Sequence, residues 1–281
     1  MQRPDLSRYA ARLGYRGPFE PTLDVLREIH LRHPCAIPFE NLAALCGTAP
    51  SLTLPDIEQK LLCNRRGGWC FEHNLLLWSV LEASGFTVQG LAARVLWQQP
   101  SDARPGRTHM LLHIETPAGP HIVDVGFGGL TLTAPLALVA DVEQDTPHGR
   151  FVLRRQGDVW RLDALLSGAA APMYGFDLSP QEPVDYRYAN WYLATHHESP
   201  FVDAVMLARP VEAGRHAYRN GEYTWRPLEG PPQSRRIASA TELRRLIADV
   251  FEIDAPADLS DARLTTLLQN TDVTSPIAGN P

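Results

Sequence analysis

Arg65-Arg66-Gly67-Gly68-Trp69-Cys70-Phe71-Glu72-His73-Asn74 is the stretch that decides the fold, and an apolar run, Leu75 to Leu81, follows it directly. The two glycines break regular structure and the apolar run has helical spacing, so the pattern predicts a loop that delivers Cys70 to the first turn of a helix. Unpaired N–H groups and the helix dipole favour a thiolate there, and the two arginines add to the effect. We therefore predict a reactive thiol; the alternative is a cysteine buried at the start of a core helix.

Length and composition set the class of protein. With 44% hydrophobic and 21% charged residues, the 281 residues have the composition of a globular protein with room for two or three compact units. The formal net charge of −6 gives no basic excess, so we expect no nucleic-acid partner. The N-terminus lacks the apolar core of a signal peptide and no later run is long enough to cross a bilayer. We therefore expect a cytoplasmic protein with no membrane partner.

The cysteines are too few and too irregularly spaced for a disulfide framework. The sequence has no C-x-x-C pair of the kind that indicates a zinc site, and we predict no metal site. In a reducing compartment all four should be free thiols. Only Cys70 has a loop-to-helix setting that would activate it. The four are Cys35, Cys46, Cys63 and Cys70.

Along the chain, the spacing of the apolar residues changes twice. Residues 1–86 are mostly helical in pattern, with a helix from Leu23 that ends before Pro34 and a Cys70 helix that runs to about Ala83. From residue 87, hairpins succeed one another without helices between them, which favours an antiparallel sheet or barrel. The last third holds short strands, an Asn220-Gly221 hairpin signal and an amphipathic helix over 241–251, and its tail from about Thr271 should fray.

A thiol nucleophile needs a base and a group that orients the base. His109 begins an apolar strand, and Asp124 lies on the return strand of the same predicted hairpin, where a carboxylate is costly to bury alone. Symmetric pairing about Ala118-Gly119 sets Asp124 opposite His113, with His109 roughly 13 Å further along at about 3.3 Å per residue. Joining His109 to Asp124 needs a bulge or a register shift. Spacing therefore leaves two candidate bases, and an ordinary buried His–Asp hydrogen bond is the structural alternative.

Two short segments carry further candidates. Gly126-Phe127-Gly128-Gly129 follows the strand of Asp124, and its glycines allow a ligand to approach backbone N–H groups; a plain turn is the alternative. Glu40 is a lone acid among apolar neighbours in residues 37–42. Because an unpaired carboxylate is costly to bury, Arg66 is its candidate partner.

Four separated motifs resemble the signatures of the arylamine N-acetyltransferase family and occur in that family's order. The similarity extends to Asp185-Tyr186 and to residues 190–196, and it covers residues from about 20 to 201. The motifs are Ile37-Pro38-Phe39-Glu40-Asn41-Leu42, Arg66-Gly67-Gly68-Trp69-Cys70-Phe71-Glu72-His73-Asn74, Thr108-His109-Met110-Leu111-Leu112 and Val123-Asp124-Val125-Gly126-Phe127-Gly128.

The resemblance implies an α+β fold in three parts around a cysteine-protease-like (transglutaminase-like) catalytic core. These parts are a helical bundle over 1–86 that carries the nucleophile, an antiparallel β-barrel over 87–188 that carries the His and Asp, and an α/β lid over 189–281. Motif match makes Cys70 the nucleophile, His109 the base and Asp124 the orienting acid. It also implies an Arg66–Glu40 structural pair, Phe127 and Phe201 at the substrate, and Thr108, Gly128 and Gly129 at coenzyme A.

The activity implied by the resemblance is ping-pong transfer of an acetyl group from acetyl-coenzyme A to an aromatic amine or hydrazine, a reaction of xenobiotic metabolism that needs no metal. Three alternatives remain open. An amide synthase would use the same triad on a carrier-bound acyl chain, a cysteine hydrolase would release an acid, and a non-catalytic binding protein would keep only the fold. Whether acetyl-coenzyme A acylates Cys70 discriminates the first of these.

Overall fold

A computed structural model describes residues 3–269 of the chain; the predicted fraying of the tail from Thr271 falls outside these residues. Over the described residues the chain forms nine α-helices and thirteen strands, and a π-helical turn, Gln59–Cys63, continues the fourth helix. The helices are α1 Leu6–Leu13, α2 Leu23–Ala36, α3 Leu42–Leu45, α4 Leu54–Glu58, α5 Cys70–Ala83, α6 Tyr186–Thr195, α7 Pro200–Asp203, α8 Ala240–Asp249 and α9 Asp261–Gln269. The strands are β1 Phe39–Glu40, β2 Thr87–Val95, β3 Arg107–Thr116, β4 Gly119–Val123, β5 Leu136–Ala137, β6 Glu143–Thr146, β7 Gly149–Gln156, β8 Val159–Leu166, β9 Ala169–Phe176, β10 Met206–Val211, β11 Gly214–Arg219, β12 Glu222–Pro227 and β13 Gln233–Arg236.

Helix α5 lies at the centre of the molecule and begins at Cys70, as predicted. Every residue from Cys70 to Leu81 is buried, because the helix packs against other helices on one side and against β2 and β3 on the other. The Glu72 carboxylate accepts the Trp69 N–H at 3.2 Å and so closes the first turn. At the far end, Gly85 has a φ of 92°, a left-handed conformation typical of a helix stop.

Helix α2 departs from its predicted end. It continues through Pro34 to Ala36, and Ile37 N–H donates to His33 O at 2.8 Å. The prediction that the helix stops before the proline is wrong because Pro34 lies in the last turn, where its missing N–H removes a single helix bond. The extra turn keeps His33 inside the helix and in the core.

The larger sheet has eight antiparallel strands in the order β5-β4-β3-β2-β9-β8-β7-β6. It curls around its own apolar core, and the carboxamide of Gln144 on β6 joins the two edges. Its nitrogen donates to Ala137 O on β5 at 2.9 Å and its oxygen accepts Ala137 N–H at 2.8 Å. The predicted antiparallel barrel is therefore confirmed as a nearly closed one.

The β3–β4 hairpin fixes the relation between the two candidate bases and Asp124. Thr116 pairs with Gly119 and Leu112 with Val123, so the turn centres on residues 117–118. Continuing this register by one residue aligns Asp124 with Leu111. The symmetric pairing that placed Asp124 opposite His113 is therefore wrong by two residues.

A β-bulge lies on the other side of β3. Ala93 pairs with His109 and Arg94 pairs with Arg107, so Thr108 is the extra residue on β3. His109 and Arg107 thereby lie on opposite faces of the sheet, since Ala93 and Arg94 do. The bulge turns His109 towards the barrel interior, where Phe127 and Tyr174 pack against it.

The second sheet has the order β1-β10-β11-β12-β13, and helices α8 and α9 cover one side of it. Its edge strand β1 comes from the N-terminal helical part of the chain and pairs Phe39 with Ala208. The predicted hairpin at Asn220-Gly221 joins β11 to β12. The three-part α+β arrangement is confirmed, while its division at residues 86 and 188 stays a prediction. Among residues 3–269, no helix is both long enough and apolar enough to span a membrane.

Candidate active site

Cys70 is the first residue of α5 and faces the bulge of β3. Cys70 is 7% exposed, and its Sγ donates to the Thr108 carbonyl oxygen at 3.8 Å. The loop after β4 packs directly on this turn, because a Cβ on Gly126 would lie 2.6 Å from the Cys70 Cα. Only glycine fits there, so the loop that follows Asp124 can lie against the thiol-bearing turn.

His109 and Asp124 form a buried ion-pair contact, with His109 Nε2 2.7 Å from Asp124 Oδ2. Burial lowers the pKa of His109, but the charge and hydrogen bond of Asp124, with smaller contributions from Cys70, outweigh it and raise that pKa to about 10. Burial raises the pKa of Asp124, and the charge and hydrogen bonds of its neighbours, His109 first, bring it below its usual value. At neutral pH the pair is therefore imidazolium and carboxylate.

The orientation of the imidazole follows from its neighbours. Nε2–H donates to Asp124, which leaves Nδ1 as the nitrogen that can exchange a proton with Cys70. The rings of Phe127 and Tyr174 pack against His109 at centroid distances of 5.2 and 4.9 Å and limit its rotation. His113 does not share this site; its Nε2 lies 3.6 Å from Glu115 Oε1. Of the two candidate bases, only His109 contacts Asp124.

Asn74 bonds to both arms of the hairpin, a role that the sequence pattern did not predict. Its side-chain N–H groups donate to Met110 O at 2.8 Å and Asp124 Oδ1 at 3.1 Å, and its oxygen accepts Val125 N–H at 3.2 Å. The signal was its position four residues after Cys70, which places both side chains on one face of α5. One helix face thus carries Cys70 and binds both arms of the hairpin.

Known proteins match this chain over most of its length. A model of the N-acetyltransferase family matches residues 22–259. The arylamine N-acetyltransferase of Escherichia coli is 37% identical over 249 residues, 88% of this chain and 88% of that protein. That of Mycolicibacterium smegmatis is 38% identical over 254 residues, 89% of this chain and 92% of the relative. The chain belongs to the arylamine N-acetyltransferase family.

A solved structure of this family agrees in fold. Mycobacterium marinum arylamine N-acetyltransferase in complex with CoA superposes on this family member with a TM-score of 0.89 at 34% identity. The match covers 95% of this chain and 99% of that one. The likeness therefore includes the helical part, the barrel and the C-terminal sheet together.

Behind the first turn of α5, this family member buries two carboxylates with two cations. Arg66 donates to Glu40 Oε1 through Nε at 2.9 Å and through Nη2 at 2.6 Å. Lys60 Nζ lies 2.8 Å from Glu72 Oε1 and 3.8 Å from Glu40 Oε1. Burial raises the pKa of Glu72, and Lys60 opposes this shift. The predicted contact of Arg66 with Glu40 is present, whereas Lys60 and Glu72 were missed.

Lys60 is the only lysine in the sequence. It lies in the π-helical turn, and its main-chain carbonyl accepts Arg66 N–H at 3.2 Å. A compact ammonium fits between two buried carboxylates, where the planar guanidinium of arginine needs more room. The lone lysine, beside a glutamate at the third position of α5, is the sequence signal that could have found this pair.

A chain of buried hydrogen bonds joins α1, α2 and α5. Tyr9 Oη lies 2.8 Å from His33 Nδ1, and His33 Nε2 lies 3.0 Å from His73 Nδ1. His73 Nε2 lies 3.2 Å from Pro38 O, which also accepts Gly68 N–H. Pro38 O can only accept, so His73 donates to it through Nε2. Because burial keeps both imidazoles neutral, His73 Nδ1 accepts from His33 Nε2–H, and Tyr9 donates to His33 Nδ1. The chain fixes the glycine loop that precedes Cys70.

His30 is another buried imidazole, and it contacts the main chain of Asp124. Its Nε2 donates to Asp124 O at 3.1 Å. Burial lowers the pKa of His30 and of His73 to about 4, and lowers that of His33 well below its usual value. All three are therefore neutral at physiological pH and serve as directional hydrogen-bonding groups.

The residues predicted for substrate and coenzyme A lie around this centre. Phe127 packs on His109, and Phe201 packs on Trp69 and Phe39 at centroid distances of 5.5 and 6.3 Å. A Cβ on Gly128 would lie 3.6 Å from the Phe39 ring. Phe39 thus lies between Phe201 and the loop of Phe127 and Gly128, and their roles stay predictions.

Proposed function

We propose that this protein is an acyltransferase that moves the acetyl group of acetyl-coenzyme A to the nitrogen of an aromatic amine or hydrazine, with Cys70 as the nucleophile, His109 as the base and Asp124 as the orienting acid. The observation that carries the proposal is the His109–Asp124 contact of 2.7 Å beside the thiol at the start of α5. The family membership of the chain supports the same activity.

In the first half-reaction, the Cys70 thiolate attacks the acetyl carbon of the thioester. The tetrahedral oxyanion collapses, the carbon–sulfur bond to coenzyme A breaks, and imidazolium His109 protonates the departing thiolate. The raised pKa of His109 supports this step because it holds the proton ready at neutral pH. The Cys70 backbone N–H, which has no acceptor among residues 3–269, is our proposed oxyanion donor.

In the second half-reaction, the amine attacks the acetyl-cysteine. Its nitrogen forms the amide bond, the carbon–sulfur bond to Cys70 breaks, and neutral His109 takes the amine proton to restore the imidazolium–thiolate pair. Phe127 and Phe201 offer aromatic faces on either side of Phe39, which suits an aryl acceptor. Thr108, Gly128 and Gly129 are our proposed contacts for coenzyme A.

The test is the mass of the intact protein after incubation with acetyl-coenzyme A and no acceptor. We expect the gain of a single acetyl group, which Cys70→Ala abolishes and which Cys63→Ala, a change at an exposed cysteine, leaves intact. Adding an arylamine should remove the acetyl group and yield the N-acetylated amine. No mass gain, or an equal gain in Cys70→Ala, contradicts the proposal.

The same experiment separates the alternatives. An amide synthase that uses a carrier-bound chain leaves Cys70 unmodified by acetyl-coenzyme A. A cysteine hydrolase releases acetate from the acetylated protein without any amine. The names of the relatives favour neither of these activities.

A further inference from the structure

Arg215 on β11 reaches from the C-terminal sheet into the barrel. Arg215 is 5% exposed, and its guanidinium donates only to main-chain carbonyls. Nη1 donates to Gly129 O at 3.3 Å, and Nη2 donates to Thr131 O at 2.9 Å. Nε and Nη2 donate to His148 O at 3.3 and 3.2 Å. One guanidinium therefore joins the loop after β4 to the turn between β6 and β7.

The charge of Arg215 has no carboxylate partner. No Asp or Glu oxygen among residues 3–269 lies within 4.0 Å of its nitrogens, whereas Arg209 on the neighbouring strand pairs with Glu252 at 2.8 Å. Burial lowers the pKa of Arg215 to about 10, so it stays charged at neutral pH. A buried cation is costly unless its donors are used. Its compensation comes from the carbonyl dipoles of this loop and turn, which ties their conformation to Arg215.

His148, in the turn between β6 and β7, both donates to the C-terminal sheet and accepts from it. Its Nε2 donates to Val211 O, at the end of β10, at 2.7 Å, while its own carbonyl accepts from Arg215. The turn between β6 and β7 and the hairpin between β10 and β11 thus bind each other in both directions. The connection holds the barrel against the C-terminal sheet at the loop after β4.

Thr131 transmits this contact towards the reacting groups. Its hydroxyl donates to Asp124 O and accepts Phe127 N–H, each at 3.3 Å. Its own N–H donates to Gly128 O at 3.0 Å. A shift of the Thr131 carbonyl away from Arg215 would therefore move Phe127 and Gly128 together.

In the loop after β4, three main-chain carbonyls are bonded within the protein, whereas two N–H groups are not bonded within the described part of the chain. The carbonyls of Gly128, Gly129 and Thr131 are all bonded to protein donors. The N–H groups of Gly128 and Gly129 have no acceptor within the described residues, and Gly128 has a φ of 93°. Successive free N–H groups in such a turn form a concave donor site for an oxygen-bearing group.

We propose that Arg215 is a positioning residue for the acyl donor: it holds the carbonyls of Gly129 and Thr131 so that the free N–H groups of the loop face coenzyme A. This inference rests on the proposed function. It predicts that Arg215 sets the affinity for acetyl-coenzyme A and has little influence on the reactivity of Cys70. The carboxylate of Asp124 has its own donors in Asn74 and Gly126 N–H, at 3.1 and 2.9 Å.

The test measures the rate of Cys70 acetylation against acetyl-coenzyme A concentration in Arg215→Met and Arg215→Lys. Lysine keeps the charge but cannot reach three carbonyls at once. We expect the half-saturating concentration to rise about tenfold or more in both, with alkylation of Cys70 by iodoacetamide changed by less than about twofold. The matched control is Arg209→Met, since Arg209 binds the carbonyls of Cys35 and Val250 but not the loop; its half-saturating concentration should match that of the unchanged protein.

A chemical rescue strengthens the test. Methylguanidinium added to Arg215→Ala should lower the half-saturating concentration again, and methylammonium at the same concentration should not. If Arg215→Met does not fold, Arg215→Lys and this rescue carry the test. Unchanged donor saturation in a folded variant, or an equal loss of alkylation and acetylation, overturns the inference. Absence of acetylation in the unchanged protein instead overturns the proposed function.

Discussion

Asn74 donates a side-chain N–H to Asp124 Oδ1 at 3.1 Å from the same helix face that carries Cys70. Because four residues make about one turn of an α-helix, the distance between the Cys70 thiol and the hairpin is set by a rigid element. The second N–H of Asn74 binds Met110 O, next to His109 on β3. A single carboxamide therefore fixes the helix to both arms of the hairpin.

Asn74→Ala should remove one hydrogen bond from each of three buried polar groups, Met110 O, Asp124 Oδ1 and Val125 N–H. We expect the unfolding free energy to fall by about 1–3 kcal/mol and the rate of Cys70 acetylation to fall roughly tenfold to hundredfold, because the hairpin shifts relative to the thiol. Urea denaturation and acetylation kinetics measure the two effects. Ser79→Ala, a buried polar change later in the same helix, is the control and should leave the acetylation rate within about twofold. An unaltered rate in Asn74→Ala contradicts the role we assign to it.

Asp124→Asn should remove the main support of the imidazolium. Burial then dominates, and the pKa of His109 falls from about 10 towards or below its ordinary value of 6.5. Without the imidazolium, we expect alkylation of Cys70 at neutral pH to slow by about tenfold or more and its pH profile to move to higher pH. Iodoacetamide kinetics across the pH range check this. Asp177→Asn, which breaks the ion pair with Arg107 on the barrel exterior, is the control; a profile that moves equally in both variants would count against the triad.

The buried, neutral imidazoles of His30, His33 and His73 should make the fold sensitive to acid. Their pKa values are lowered in the folded protein, to about 4 for His30 and His73, so between about pH 6.5 and pH 4 the unfolded chain binds more protons. Stability is therefore retained above the unfolded pKa and lost as pH falls through this window, by about 2 kcal/mol at pH 5 for each of His30 and His73. In His73→Gln the loss of unfolding free energy between pH 7 and pH 5 should shrink by about that amount. His197→Gln, at an exposed position, should retain the full loss; an identical loss in His73→Gln would refute the prediction.

Lys60→Met should be strongly destabilising because it leaves Glu72 buried without its cation. We expect a loss of about 3–5 kcal/mol of unfolding free energy, measured by urea denaturation. Lys60→Met combined with Glu72→Gln should recover a large part of that loss, since no unpaired charge remains. Additive effects of the two substitutions would show that the contact of 2.8 Å contributes nothing to stability.

Lys60→Arg keeps the charge and tests the shape of the site. The larger planar guanidinium must fit among Glu72, Glu40 and Arg66, so we expect a loss of about 1–3 kcal/mol despite the conserved charge. Thermal and urea unfolding measure it. Stability equal to that of the unchanged protein would contradict the requirement for a compact cation.

Local signals in the sequence predicted the elements well. The glycine pair and the apolar run placed the start of α5 at Cys70, and the Asn220-Gly221 turn placed the β11–β12 hairpin. Both depend on residues close together in the chain. Pro34 was misleading because a proline ends a helix only where the following turn has nothing else to hold it, and α2 is held by the core contacts of His30 and His33.

Residues that act across long sequence separations were not predictable in the same way. Lys60 and Glu72 are ordinary charged residues in a helical pattern, and Arg215 lies on a short strand in the last third of the chain. Their importance comes from burial and from partners on other elements, which periodicity does not reveal. The lone lysine was the one compositional signal available.

The sequence by itself determined that a thiol lies at the start of a buried helix, that an antiparallel barrel follows, and that an acid lies on the same hairpin as the two candidate bases, His109 and His113. Spacing left both of them open, motif match favoured His109, and only the tertiary structure shows which of them contacts Asp124. The hairpin turns at residues 117–118, Thr108 forms a bulge, and Asn74 binds both arms, so His109 and not His113 contacts Asp124. A two-residue register shift keeps every side chain on its own face, so the alternation of apolar residues cannot detect it. Packing of the hairpin against α5 distinguishes the two registers, and it sets the one that the structure has.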